Sequence, residues 1–132
     1  MTLRNQVLVI DDDDELRETI VEVLADTGFA VAQADNGAVA LSLLQASDAL
    51  PSVILLDLMM PVMNGWEFRE AQLGDPRLAA IPVVLMTASR DLKGLDVDQV
   101  LRKPATLDDL VKAIGRFAAT RPGEPGAHDR DG

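Results

Sequence analysis

The stretch that decides the fold is Val53-Ile-Leu-Leu-Asp57-Leu-Met-Met-Pro61-Val-Met-Asn64-Gly65. An apolar run of strand length ends in one carboxylate, and a turn rich in Pro, Asn and Gly follows within a few residues. Asp57 is therefore predicted to lie at the end of a strand. Because open α/β sheets bind ligands at the carboxyl ends of their strands, Asp57 is a candidate for chemistry.

Three other apolar runs of strand length also end at polar residues. The polar residues that follow them are Asp11 and Asp12, then Thr87, and finally Lys103. Parallel strands present their carboxyl ends at one edge of the sheet, so these residues and Asp57 are predicted to form one site.

The order of the elements predicts an α/β fold. The predicted strands are 6–10, 29–34, 53–56, 83–86 and 99–102. Apolar runs without alternation are typical of parallel strands covered by helices on both faces, and helical spacing of apolar residues fills most of the intervals. Only 12 residues separate Thr87 from Val100, and they include Gly94. Since a parallel crossover needs about a dozen residues or more, the fourth helix is predicted to be shortened.

Chain length and composition indicate one folded domain. The 132 residues are 48% hydrophobic, which is enough for a core. The domain is predicted to span residues 1–120. Residues 121–132 are polar and rich in Pro and Gly, so a disordered C-terminal tail is predicted there.

Composition also excludes several kinds of site and partner. With no Cys and one His, a zinc site or a His-based triad cannot be assembled. The net charge of -10 and the lack of a Lys/Arg cluster argue against direct nucleic-acid binding. No apolar run approaches the ~20 residues that span a bilayer, and the first residues do not resemble a signal peptide. We therefore expect a cytoplasmic protein without membrane contact.

Carboxylates gathered at one edge of a sheet repel each other unless a cation neutralises them. Mg²⁺ suits such a site because it prefers oxygen ligands. Asp11, Asp12 and Asp57 contribute -3, and Mg²⁺ with Lys103 contributes +3, so the site balances. Asp57 is then the natural nucleophile for an aspartyl-phosphate, with Lys103 and the Thr87 hydroxyl holding phosphoryl oxygens.

The motifs that carry this chemistry resemble the receiver domain of two-component response regulators, and the chain is similar to the single-domain chemotaxis regulator. The resemblance covers residues 6–118. It rests on Val-Leu-Val-Ile-Asp11-Asp12, Leu-Leu-Asp57-Leu-Met-Met-Pro61, Leu-Met-Thr87-Ala88 and Arg-Lys103-Pro104. It implies a flavodoxin-like, doubly wound sheet of five parallel strands in the order 2-1-3-4-5.

The same resemblance implies the role of each site residue and the partners. Asp57 would be phosphorylated by a histidine kinase or a phosphotransfer protein. Mg²⁺ would be bound by Asp11, Asp12, Asp57 and the backbone carbonyl of Met59. A cis peptide bond before Pro104 is also implied.

The chain departs from the family pattern on the side that usually contacts downstream proteins. Val100 lies where many receivers have an aromatic residue, and the fourth helix is short. We therefore hypothesise that Thr87 senses the phosphoryl group and signals through residues 88–98. The downstream protein itself is not predicted.

Two other functions stay open beside a phosphorylated signalling module that is not an enzyme. One is a receiver-like adaptor that acts without phosphorylation. The other is a Mg²⁺-dependent phosphohydrolase with an aspartyl nucleophile. The hydrolase is disfavoured because such enzymes usually place a second acid two residues after the nucleophile, where this chain has Met59, and because the chain has no cap domain.

Overall fold

The computed structural model describes residues 2–119, with side chains from residue 5 onward. The strands are β1 (Thr2–Ile10), β2 (Ala30–Ala34), β3 (Leu50–Asp57), β4 (Val83–Thr87) and β5 (Gln99–Arg102). The helices are α1 (Asp14–Thr27), α2 (Gly37–Ala46), α3 (Gly65–Leu73) and α4 (Leu107–Gly115). None of these helices is long and apolar enough to cross a bilayer. The tail predicted at 121–132 lies outside the described residues.

The five strands form one sheet in the order β2-β1-β3-β4-β5, and all neighbouring strands are parallel. This confirms the predicted fold class. β3 lies at the centre, and every one of its residues is buried. An apolar run without alternation is what a strand covered on both faces requires.

Alternate residues of the central strands supply two separate cores. Leu8 and Ile54 point to the face covered by α2 and α3, where Phe68 of α3 is fully buried. Val7 and Val53 point to the opposite face, which α1 and α4 cover. The period of two along each strand therefore gives both faces of the sheet an apolar layer.

Polar caps fix where the helices begin at the carboxyl edge of the sheet. The Asp13 side chain accepts the backbone N–H of Leu16, and the Thr106 hydroxyl accepts that of Asp109. Asn64 forms a capping box with Glu67 at the start of α3. Each cap satisfies a backbone donor that the helix cannot pair within itself.

The crossover between β4 and β5 departs furthest from the prediction. Residues 88–98, which we call the crossover segment, contain a turn and no helix, so the helix predicted to be short is reduced to that turn. Gly94 within it has a φ of 79°, a left-handed conformation that ends helical geometry. Leu92, Leu95 and Val97 nevertheless pack against the core beneath α2 and α3, so the segment still covers the sheet.

Two side chains of α3 hold the crossover segment in place. Trp66 Nε1 donates a hydrogen bond to the carbonyl of Lys93 at 3.1 Å. Arg69 Nε donates to the carbonyl of Asp96 at 2.7 Å. A segment without its own helical hydrogen bonds thus finds partners for its carbonyl groups on the neighbouring helix.

Candidate functional site

The predicted acidic residues converge at the carboxyl edge of the sheet. Asp57 is the last residue of β3, and Asp11 directly follows the neighbouring strand β1. One carboxylate oxygen from each of Asp11, Asp12 and Asp57 lies within 4.8 Å of the other two. Asp11 and Asp57 are buried, whereas Asp12 is exposed. The adjacency of β1 and β3 therefore produces the cluster.

Lys103 and Thr87 complete the same edge. Lys103 Nζ lies 3.4 Å from Asp57 Oδ1. Thr87 ends β4, one residue beyond Met86, the register partner of Asp57. The backbone N–H of Lys103 donates to the Thr87 carbonyl at 2.9 Å, and the peptide bond from Lys103 to Pro104 is cis, as the resemblance implied.

Local hydrogen bonds fix the acidic strand end. Asp11 Oδ1 accepts the backbone N–H of Asp13 at 2.9 Å, and Arg17 Nη1 donates to the Asp11 carbonyl at 2.7 Å. The Arg17 guanidinium forms its ion pair with Asp14, not with the Asp11 carboxylate. The loop is therefore held in place without an ion pair between Arg17 and the carboxylates of the cluster.

The turn after Asp57 is held tightly against the start of α3. The N–H of Gly65 donates to the Leu58 carbonyl at 2.8 Å, and a Cβ on Gly65 would lie 2.9 Å from Leu58 Cα. Val62 has a φ of 68°, a conformation that is strained for a β-branched residue. Met59 is 63% exposed beside the site.

Electrostatics make the unliganded cluster costly. Burial, and then the charge of Asp11, raise the pKa of Asp57 to about 6, although Lys103 opposes the shift. Burial also raises the pKa of Asp11 above its usual range. Ionised carboxylates are disfavoured here until a cation neutralises them.

The donor set fits a hard divalent cation. Three carboxylate oxygens lie close together, and Mg²⁺ takes oxygen ligands of this kind with water and phosphate oxygens in the remaining positions. The raised pKa of Asp57 also indicates that the site needs a cation. The ammonium group of Lys103 alone does not offset the burial of Asp57 and the charges of Asp11 and Asp12. Met59 lies on the adjacent turn, and the contact of its carbonyl with a metal stays a prediction.

Sequence reasoning missed the polar residues that position the crossover segment. Arg69 is 8% exposed and Gln72 fully buried, and Arg69 Nη1 donates to Gln72 Oε1 at 2.9 Å. The Gln72 amide donates in turn to the carbonyls of Leu78 and Ile81. Gln72 lies one helical turn from the buried Phe68, and this i, i+4 spacing is the sequence signal that places it on the buried face.

Thr87 has one further contact that the sequence does not reveal. Its Oγ1 accepts the backbone N–H of Ser89 at 3.0 Å. The side chain of Arg102 on β5 donates to the Ser89 carbonyl. The first residues of the crossover segment are thus tied both to the site threonine and to the edge strand.

Known proteins show the same domain. The response regulator receiver domain family matches residues 7–115. The DNA-binding response regulator MtrA of Mycolicibacterium smegmatis is 36% identical over 110 residues, which are 83% of this chain and 44% of MtrA. The chain therefore spans less than half the length of that relative.

Solved structures give the same result for the fold. The chemotaxis response regulator CheY4 of Vibrio cholerae has a TM-score of 0.77 and 28% identity, covering 87% of this chain and 99% of CheY4. The phosphorylated cyanobacterial phytochrome response regulator RcpA has a TM-score of 0.75 and 28% identity, covering 92% of this chain and 100% of RcpA. The chain belongs to the response regulator receiver domain family, the phosphoacceptor module of two-component signalling.

Proposed function

We propose that Asp57 accepts a phosphoryl group from a cytoplasmic histidine kinase or phosphotransfer protein, and that the phosphorylated chain signals by protein–protein contact. The observation that carries this proposal is the convergence of Asp57 with Asp11 and Asp12 within 4.8 Å, with Lys103 at 3.4 Å from the Asp57 carboxylate. Membership of the receiver family supports the same role.

The chemistry follows from the positions of the side chains. An Asp57 carboxylate oxygen attacks the phosphorus of a phosphohistidine, the O–P bond forms as the N–P bond breaks, and the imidazole leaves with the electron pair and takes up a proton. Lys103 neutralises one phosphoryl oxygen, and the Thr87 hydroxyl is placed to donate to another. The residues therefore act by positioning and by charge neutralisation.

Asp11, Asp12, Asp57 and the Met59 carbonyl would hold Mg²⁺, which supplies positive charge to the phosphoryl oxygens when bound. The carboxylates contribute -3 and the two cations +3, so the site is neutral before the phosphoryl group arrives. This balance favours the ionised Asp57 that the reaction needs, because neighbouring cations lower the pKa of a carboxylate.

Phosphorylation with acetyl phosphate and MgCl₂ tests the proposal by intact-protein mass. We expect one phosphoryl group on the wild type and none on Asp57→Asn, and we expect EDTA to abolish labelling. Asp35→Asn is the matched control, since Asp35 is an exposed acid that follows β2 at the same edge of the sheet. This variant should be labelled like the wild type.

Other outcomes point to the alternative functions. Labelling that persists in Asp57→Asn would contradict the assignment of the phosphoacceptor. A wild type that is not labelled by acetyl phosphate or by any phosphohistidine donor would favour an adaptor that acts without phosphorylation. Turnover of p-nitrophenyl phosphate that depends on Asp57 would favour a phosphohydrolase.

A further inference from the structure

A cavity of about 510 Å³ opens at the opposite edge of the sheet from Asp57. It lies between the first residues of β3, the segment before β4 and the chain that follows α4. Leu50, Ile81 and Phe117 give it an apolar wall, while Arg77 and Arg116 also line it. The site described above uses none of these residues.

The charge of this cavity is opposite to that of the whole protein. The chain has 22 acidic and 12 basic residues, yet the part of the lining that the structure describes contains two arginines and no acidic residue. Asp75 borders the lining, and its carboxylate accepts the backbone N–H of Arg77 at 2.9 Å. A local positive field in a protein of net charge -10 favours an anion at this position.

Toward the residues that the structure describes, both guanidinium groups keep most of their donors free for a ligand. Arg77 Nη1 donates to the Leu44 carbonyl at 2.9 Å, and Arg116 Nη1 donates to Gln99 Oε1 at 3.2 Å. Neither forms an ion pair with a carboxylate among the residues whose side chains are described. An arginine has five N–H donors in a planar fork that suits carboxylate, sulfonate or phosphate groups.

We propose that this cavity binds a small anionic ligand with an apolar body. The acidic group of the ligand contacts Arg77 and Arg116, and its apolar part packs on Leu50, Ile81 and Phe117. The volume falls in the range of about 300–1,000 Å³ that is typical of small-molecule pockets. Because β3 runs from Leu50 at this cavity to Asp57 at the other edge, the site is separate from the phosphoacceptor.

Two matched dyes test whether the anion matters. The probe is 8-anilinonaphthalene-1-sulfonate, and its uncharged counterpart is N-phenyl-1-naphthylamine, which lacks the sulfonate. We expect the sulfonate dye to bind the folded full chain one to one and more tightly than the neutral dye. In amide NMR spectra, its shifts should concentrate at the lining, namely at Leu50, Ser52 and residues 77–81 and 115–119. Equal affinities for the two dyes, or shifts elsewhere, would overturn the proposal.

Variants test the charge of the lining. Arg77→Gln and Arg116→Gln should each weaken the sulfonate dye by about tenfold, the size expected for a lost charge-assisted hydrogen bond. Both should leave the neutral dye unaffected. Ala80 is an exposed residue of the lining. The negative charge of Ala80→Glu should weaken binding of the sulfonate dye, whereas the uncharged Ala80→Gln should not. Arg90→Gln is the control, because Arg90 lies on the crossover segment outside the cavity.

The site would be refuted if the double variant of Arg77 and Arg116 bound the sulfonate dye as tightly as the wild type. It would also be refuted if Arg90→Gln lost as much affinity for this dye as the cavity variants. Labelling by acetyl phosphate should be normal in all of these variants. The proposal thus fails or holds independently of the proposed function.

Discussion

Replacing Asp57 by asparagine is predicted to stabilise the metal-free protein. Burial and the charge of Asp11 raise the pKa of Asp57 from 3.8 to about 6, with Lys103 acting in the opposite direction. Between these two values the folded protein keeps a proton on Asp57 that the unfolded chain has released. The free energy of unfolding therefore falls as the pH rises through this window, and the ionised carboxylate remains a cost above it.

The magnitude follows from the pKa difference. About 2 pKa units correspond to about 3 kcal/mol, since one unit is worth about 1.4 kcal/mol. Asparagine keeps the shape of the side chain and removes its charge. We expect Asp57→Asn to gain about 2–3 kcal/mol near pH 7 and less than about 1 kcal/mol near pH 4, where the wild-type carboxyl is protonated in the folded state. The attraction of Lys103 is already included in the shifted pKa.

Urea denaturation in EDTA, followed by circular dichroism, measures this difference. Asp35→Asn controls for the loss of an exposed acid and should change stability by no more than about 0.5 kcal/mol. Added MgCl₂ should stabilise the wild type by mass action and narrow its gap to Asp57→Asn, which lacks a carboxylate ligand. The reasoning is refuted if Asp57→Asn is no more stable than the wild type near pH 7 in EDTA, or if its gain is equal near pH 4.

Three further predictions concern the turn and the helix that follow Asp57. Val62→Gly should stabilise the protein by about 0.5–1 kcal/mol in thermal unfolding, because glycine relieves the positive φ and Val62 is 81% exposed; a lower melting temperature would contradict this. Gly65→Ala should destabilise by about 1–3 kcal/mol, because its Cβ would lie 2.9 Å from Leu58 Cα, and an unchanged urea midpoint would show that the turn can shift. Trp66 is the only tryptophan, so its fluorescence should change when beryllofluoride and Mg²⁺ alter its contact with Lys93; constant emission would count against signalling through the crossover segment.

Much of the fold could be predicted because few alternatives fit the pattern. The run from Val53 to Leu56 has no polar residue to place on a solvent face, so it must be covered on both sides. The structure buries it completely and extends the strand to Leu50. The start of this strand was harder to predict, since Pro51 and Ser52 lack the apolar signal. Pro51 is the register partner of Leu3 on β1, and Ser52 Oγ donates a hydrogen bond to the Gln6 carbonyl.

The position of the acidic cluster was predictable for a topological reason. Strands that are parallel must end at the same edge, so acids that follow β1 and β3 meet once those strands are adjacent. The prediction that β1 and β3 are neighbours came from the resemblance to receivers, not from the pattern of residues. The distances among Asp11, Asp12 and Asp57 depend on that order.

The crossover segment could not be predicted in the same way. Its conformation depends on Trp66 and Arg69, which belong to a different element and are more than twenty residues away in the chain. A local pattern carries no information about such partners. The spacing therefore indicated that a full helix would not fit, but it did not indicate what replaced it.

Among the described residues, no helix lies between β4 and β5. Fewer elements can therefore transmit a structural change at the phosphoacceptor site to the protein surface. Thr87 Oγ1 accepts the N–H of Ser89, so any movement of the threonine toward a phosphoryl group acts first on the start of the crossover segment. That segment is held at Lys93 and Asp96 by single hydrogen bonds from α3, and such bonds are worth only about 1 kcal/mol each. The free-energy cost of ionising Asp57 in the folded protein is larger, at about 3 kcal/mol. Neutralising the site is therefore worth more than these two hydrogen bonds, while the packing of Leu92, Leu95 and Val97 keeps the segment on the core.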